Sequence, residues 1–240
     1  MIDVHSHILP GIDDGAQTLE EALTLLRLAV DNGVTTQVLT PHIQPGRYLN
    51  DPGSLRKAFA DFEHIVRQEG IPINLLLSAE VRIGPEVMAL MQHEDFPWLG
   101  TWEGRRVFLL EMPHNHIPLG SLNLIDWLID RDILPVIVHP ERNRELQLDM
   151  HKLMPFIEAG CAIQLTASSL AGNFGQKAKT VAIELLQAGQ VLFMATDCHN
   201  TAYRPPDLKA GLIMASELIG EVKATALVKD NPAQLLSLEI

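Results

Sequence analysis

The stretch Leu134-Pro135-Val136-Ile137-Val138-His139-Pro140-Glu141-Arg142 runs through five apolar residues straight into a histidine, a proline and two charges. A short apolar run rich in β-branched residues is the pattern of a strand covered on both faces. Runs of the same kind occupy residues 1–4, 35–39, 73–77, 106–110, 162–165 and 191–194. Between them, residues 18–31, 54–69, 85–92, 121–131, 150–158 and 177–187 carry helical spacing. Thr18 with Glu21 makes a candidate capping box, and Gly33, Gly70, Gly160 and Gly189 stand where helix C-caps belong. After the Pro205-Pro206 break the chain reads as helical. Strand–helix alternation over this length predicts an α/β fold with a parallel sheet, either closed as a barrel or open and doubly wound.

The chain has 240 residues with no internal repeat, low-complexity tract or linker, which predicts a single domain spanning residues 1–240. A formal net charge of -12 repels a phosphate backbone over most of the surface and weighs against nucleic acid as a partner. Two cysteines, Cys161 and Cys198, cannot build a disulfide framework and point to a reducing compartment. The N-terminus lacks the basic start and apolar stretch of a secretion signal, and no apolar run is long enough to insert in a membrane. The expected location is the cytoplasm.

The residues just beyond each predicted strand narrow the chemistry. The first strand leads into His5, His7 and the pair Asp13-Asp14, the second into Thr40-Pro41-His42, and the third into Glu80. The fourth ends in Glu111, the fifth in His139-Pro140-Glu141-Arg142, and the seventh in Asp197 and His199. The sixth, ending at Thr166, offers no strong ligand. In a parallel α/β barrel the C-terminal strand ends converge on one face. Five histidines and several carboxylates gathered there are the signature of a metal site by side-chain chemistry. His64, His93 and His151 fall in helices or at their ends and read as surface residues, while His114 and His116 suit either a site wall or a solvated loop.

At these positions the chain resembles the polymerase and histidinol phosphatase (PHP) superfamily. More narrowly, it is similar to the bacterial metal-dependent protein-tyrosine phosphatases of the CpsB/CapC/YwqE type. The stretches that carry the resemblance are Ile2-Asp-Val-His-Ser-His-Ile-Leu-Pro-Gly-Ile-Asp-Asp-Gly15, Thr40-Pro-His42, Ala79-Glu80, His139-Pro-Glu-Arg142 and Thr196-Asp-Cys-His-Asn200. Tyr203-Arg-Pro-Pro206 comes after them. Thr196-Asp-Cys-His departs from the expected Ser-Asp-Ala-His but keeps its ligand-type residues. The resemblance implies a distorted TIM-like (β/α)7 barrel, the PHP fold, with three metal ions, usually manganese, although iron or zinc would also suit the donors. By position, His5, His7, Glu80 and Asp197 would hold one ion; Glu80 would bridge to a second held by Glu111 and His139. Asp14, His42 and His199 would hold the third. The implied substrate is a phosphotyrosine protein, a cognate bacterial tyrosine kinase that governs capsule or exopolysaccharide assembly; an oligomer is compatible with all of this.

Clustered divalent cations acidify water and offset charge on a transferring phosphoryl group. Arg142 is placed for bidentate contact with that phosphate, and Arg204 and Arg47 are candidates on loops at the same rim. A phenolic leaving oxygen lessens the need for a general acid, and none is identifiable. Rival readings are a histidinol-phosphate phosphatase, a TatD-like nuclease and a non-catalytic, metal-stabilised regulatory module. Cys198 and Arg204 also spell Cys-x5-Arg, the minimal signature of thiol-based phosphatases. The intervening His-Asn-Thr-Ala-Tyr has no glycine to cradle a phosphate, so the expected role of Cys198 is a small filler.

Overall fold

The structure, a computed structural model, describes residues 1–238. Its strands are β1 (Ile2–Asp3), β2 (Thr36–Leu39), β3 (His42–Ile43), β4 (Asn74–Leu77), β5 (Glu80–Arg82), β6 (Gly100–Trp102), β7 (Arg105–Glu111), β8 (Ile133–Val138), β9 (Ala162–Thr166) and β10 (Phe193–Ala195). Each of the seven apolar runs forms a strand. The two additions β3 and β5 resume β2 and β4 a few residues on, so Glu80 and His42 open short strands where loops were expected. β6 is new as well. It folds back antiparallel on β7 across Glu103 and Gly104, both at positive φ, the backbone of a tight hairpin turn.

Every other ladder between these strands is parallel. One ladder runs β1-β2-β4 and the other β10-β9-β8-β7-β5-β3. Because β2 continues into β3 and β4 into β5, the two ladders share their strands. The ends meet where Asp197 N–H donates to His5 O and His7 N–H to Cys198 O, both at 2.9 Å, around a parallel bridge between Ser6 and Cys198. Seven strand units thus form a distorted TIM-like ring that closes at the C-terminal rim.

Strand periodicity sorts the core into two shells. Val107 and Leu109, Leu134, Val136 and Val138, and Phe193 and Ala195 fill the ring. Their alternate neighbours, including Phe108, Leu110, Ile137 and Ile163, belong to the larger cluster beneath the surrounding helices. Each such buried side chain contributes about 1.5–3 kcal/mol. Ala233 and Leu235, on the last helix (Asp230–Leu236), join the inner cluster. That contact needs Gly100, where a Cβ would stand 2.2 Å from the Leu235 carbonyl oxygen.

The helix Leu19–Asp31 carries the expected reciprocal cap: Thr18 Oγ1 accepts from Glu21 N–H and Glu21 Oε2 from Thr18 N–H, each at 3.2 Å. The helix expected over 150–158 instead splits into a 3-10 turn, Met150–Leu153, and a short helix, Met154–Glu158. Pro155 lacks the N–H that would have tied the two together. Helices Leu208–Ile219, Glu221–Val228 and Asp230–Leu236 follow the Pro205-Pro206 break, as expected. Among the described residues no helix is long and apolar enough to cross a membrane.

Candidate metal centre

The strand ends bring all nine proposed ligand residues to the closed rim. His5, His7, Glu80 and Asp197 converge most tightly. His5 Nε2 lies 3.2 Å from His7 Nε2, 3.4 Å from Glu80 Oε2 and 3.4 Å from Asp197 Oδ1. His7 Nε2 lies 3.2 Å from each of the same two oxygens. Donors about 2.1 Å from one ion stand roughly 3.0 Å apart around an octahedron and roughly 3.4 Å apart around a tetrahedron. His5 Nε2 and His7 Nε2 therefore stand at donor spacing from each other and from each of the two carboxylate oxygens.

The remaining residues extend the cluster on both sides. Glu80 turns its other oxygen, Oε1, to His139 Nε2 at 2.8 Å. His42 Nδ1 lies 2.9 Å from Glu80 Oε2 and 3.7 Å from Glu111 Oε2. Its Nε2 faces Asp14 Oδ1 at 3.3 Å, and His199 Nε2 faces that oxygen at 3.7 Å. Four sets have donor atoms within 4.8 Å of one another: His7 with Asp14, His42 and His199; His5 with His7 and Glu80; His5 with His139 and Asp197; His42 with Glu80 and Glu111.

Hydrogen bonding tests whether this set suits a cation. Glu80 Oε2 and Asp197 Oδ1 are buried without a hydrogen bond of good geometry, whereas Glu111 Oε2 also meets the Arg82 guanidinium at 3.0 Å. The first two are the oxygens that crowd His5 and His7. A buried, unsatisfied carboxylate oxygen costs about 1–3 kcal/mol or more, and a divalent cation is the partner this geometry suits. Mixed imidazole and carboxylate donors without thiolate fit manganese or iron and accommodate zinc.

Electrostatics reflect the same crowding. Burial works to raise the Glu80 carboxyl, but His42 and His5 outweigh it and hold it well below the usual range. Asp197, against the same burial, is held down by Arg204, His5 and Arg142. Burial, followed by the Glu80 charge, pushes Glu111 up to about 7. Burial, followed by Arg142, pushes His139 down to about 4, leaving a neutral imidazole able to ligate. His139 (φ 37°) and Asp197 (φ 51°) sit in the left-handed region just past β8 and β10. Such backbone costs roughly 1–2 kcal/mol per residue, and here it turns two donors off their strands into the cluster.

Around the donors stands a layer that fixes their orientation. Gln164 Oε1 lies 2.8 Å from His5 Nδ1, so His5 donates through Nδ1 and keeps Nε2 free as a ligand. Asp13 Oδ2 does the same for His7 Nδ1 at 2.7 Å and accepts the His42 backbone N–H at 3.0 Å. Asp3 ligates nothing in this arrangement; its carboxylate accepts from the Thr196 N–H and hydroxyl at 3.0 and 2.5 Å. Arg142 and Arg204 both donate to Asp197 Oδ2. Arg47 is set apart, half-exposed on the rim, 3.6 Å from Asp14 Oδ2. Cys198 is wholly buried and its thiol is pushed up to about 12, first by burial and then by Asp3, the reverse of what a nucleophilic thiol requires.

A family model described as capsular polysaccharide synthesis, CpsB/CapC, matches residues 1–237. The chain belongs to the CpsB/CapC family. Tyrosine-protein phosphatase YwqE of Bacillus subtilis is 36% identical to it over 204 residues, covering 85% of this chain and 79% of that protein. Tyrosine-protein phosphatase CpsB of Streptococcus pneumoniae is 26% identical over 242 residues, 98% of each. A chain from the crystal structures of YwqE and CpsB, described as unique metal-dependent tyrosine phosphatases, superposes at a TM-score of 0.90 with 32% identity. It covers 100% of this chain and 96% of its own. A phosphotriesterase homology protein of Escherichia coli, at 12% identity and a TM-score of 0.59 over 98% and 96% of the two chains, shares the fold.

Several residues of this CpsB/CapC site were not found from sequence. Gln164 sits in an otherwise apolar strand, and only its membership of the inward face of β9 marks it. Arg82 pairs with Glu111 at 3.0 Å, and Phe174 lies under the Arg142 guanidinium at 4.4 Å. Glu141, fully buried, accepts from Thr166 N–H and the Ser169 hydroxyl at 3.1 and 2.7 Å and so anchors the turn that carries Arg142. Its place in His-Pro-Glu-Arg was the one available signal. His114 lies beside His139 and Arg142 in a small pocket.

Proposed function

We propose that the chain, as one cytoplasmic domain, is a metal-dependent protein-tyrosine phosphatase that dephosphorylates a tyrosine kinase of capsule or exopolysaccharide assembly. The observation that carries this reading is the 3.2–3.4 Å spacing of His5 and His7 from each other and from Glu80 and Asp197, with two arginines donating to the other oxygen of Asp197. Membership of the CpsB/CapC family and the activities of YwqE and CpsB support it. His5, His7, Glu80 and Asp197 would hold one ion, Glu80, Glu111 and His139 a second, and Asp14, His42 and His199 a third. Manganese is the proposed metal. Bound there, such ions supply an acidified water at neutral pH and neutralise phosphoryl charge.

The chain's own residues supply the rest. Gln164 and Asp13 hold His5 and His7 in the tautomer that leaves each Nε2 free. Arg142 and Arg204 offer planar N–H groups that match two phosphate oxygens, orienting the phosphoryl group and balancing its charge. Arg47, over the Tyr48 ring at 4.9 Å, contributes a more distant charge at the rim. The leaving phenol, with a pKa near 10, departs without a strong acid, in keeping with a site that offers none beyond its ligands.

The test is hydrolysis of a phosphotyrosine peptide after chelation and after restoring manganese, iron or zinc, with metal content measured alongside. Activity should vanish on chelation and return with manganese; full activity in metal-free protein would refute the proposal. Histidinol phosphate and DNA, assayed beside it, should be poor substrates.

A further inference from the structure

Next to the metal cluster lies a recess of about 300 Å3 bounded by His114, Arg142, Arg144, Gln147 and Phe174. His114 and Arg142 also line the pocket that contains Glu111 and His139, so the two spaces share a wall. No carboxylate bounds the recess, although the chain as a whole carries a net charge of -12. The nearby acids are engaged elsewhere. Glu145 accepts from Lys152 Nζ at 2.6 Å and Ile117 N–H at 2.8 Å, Glu141 is buried against Thr166 and Ser169, and Asp197 meets Arg142 from the metal side. The exposed Arg144 side chain forms no ion pair among the described residues. Burial, then Arg142, Arg144 and Arg82, lower the pKa of His114, which marks the local potential as positive.

The walls are fixed in place. Arg144 N–H donates to His114 O at 2.9 Å, and the Asn143 amide reaches Pro113 O at 2.7 Å and His116 O at 3.2 Å. Phe174 stands between Gly172 and Gly175, both at positive φ, with its ring under Arg142. An extended peptide advances about 3.3–3.6 Å per residue, so a neighbour of the reacting residue can span the Arg142 guanidinium. We propose that this recess is a subsite for an anionic group, a carboxylate or a second phosphate, on a residue flanking the phosphotyrosine. The proposal rests on the phosphatase reading above.

The experiment compares kcat/KM of the manganese-loaded protein on phosphotyrosine peptides of one length whose flanking residues are Ala, Glu, a second phosphotyrosine or Lys. Wild type should favour the Glu and phosphotyrosine flanks over Ala by roughly three- to tenfold and disfavour Lys, with the preference shrinking as salt rises. A larger gain with phosphotyrosine than with Glu would assign the recess to phosphate, equal gains to any anion. Arg144→Gln should level the series and Arg144→Glu should reverse it, the Lys-flanked peptide becoming the better substrate. Indifference of wild type to the flank, or a preference that Arg144→Glu leaves in place, overturns the proposal. If no peptide is turned over, the phosphatase reading fails separately, and anisotropy of the same labelled peptides decides the recess: the same order in wild type and its reversal in Arg144→Glu uphold it, and equal affinities overturn it.

Discussion

Gly15→Ala should disable the metal centre without unfolding the protein. A Cβ at position 15 would stand 1.8 Å from the His7 carbonyl oxygen and 2.6 Å from His7 Cβ, against an ordinary contact of 3.4 Å. The obstruction is backbone, so the Asp13–Gly15 loop and the His7 segment must separate by about 1.6 Å in total to relieve the contact. That separation breaks Gly15 N–H to Asp13 Oδ1 at 2.9 Å and Ala16 N–H to His7 O at 3.0 Å. It also frees Asp13 from His7 Nδ1. Ligand geometry tolerates errors of about 0.5 Å, and loss of a partner that orients a ligating histidine costs 10- to 100-fold in metal affinity. With His7 itself displaced, the expected loss is about 100-fold or more, about 2.8 kcal/mol. The strain also removes about 1–3 kcal/mol of stability from the metal-free protein.

The assay is thermal unfolding with and without manganese, together with metal content after dialysis. Wild type should gain a large manganese-dependent rise in Tm, and Gly15→Ala should lose most of it. Gly189→Ala is the control: its φ is 70° and nothing lies within 4 Å of a new Cβ. It should cost about 1–2 kcal/mol and keep the full response to manganese. A folded Gly15→Ala protein with wild-type metal affinity and turnover would refute the reasoning.

Cys198→Ser should keep kcat/KM within about threefold, since a buried thiol at about 12 is no nucleophile; an inactive variant with its metals in place would restore the thiol mechanism. Arg142→Lys should lower kcat/KM on phosphotyrosine peptides by about 100-fold, because a single ammonium cannot make the bidentate phosphate contact. Metal content should stay at the wild-type level in that variant, and its loss would show Arg142 to act by holding Asp197 rather than the phosphate.

The sequence by itself determined the alternation of the fold and most of the polar residues at its strand ends. Both are local in cause. Period-2 and period-3.6 patterning, the Thr18–Glu21 cap and a histidine or carboxylate placed just after an apolar run need only neighbours in the chain. Tertiary structure decided the rest, because it depends on which face of each strand turns inward and which strands meet. Gln164 acts on His5 across 159 positions only because ring closure leaves a single strand, β10, between β9 and the end of β1. The pairing of Arg82 with Glu111 needs β5 in register with β7, and the left-handed turns at His139 and Asp197 are affordable only where surrounding structure holds them. The recess beside Arg142 draws on three separate segments of the chain, around His114, residues 142–147 and Phe174. A strand's apolar pattern says that it is buried; its neighbours in the ring say what it serves.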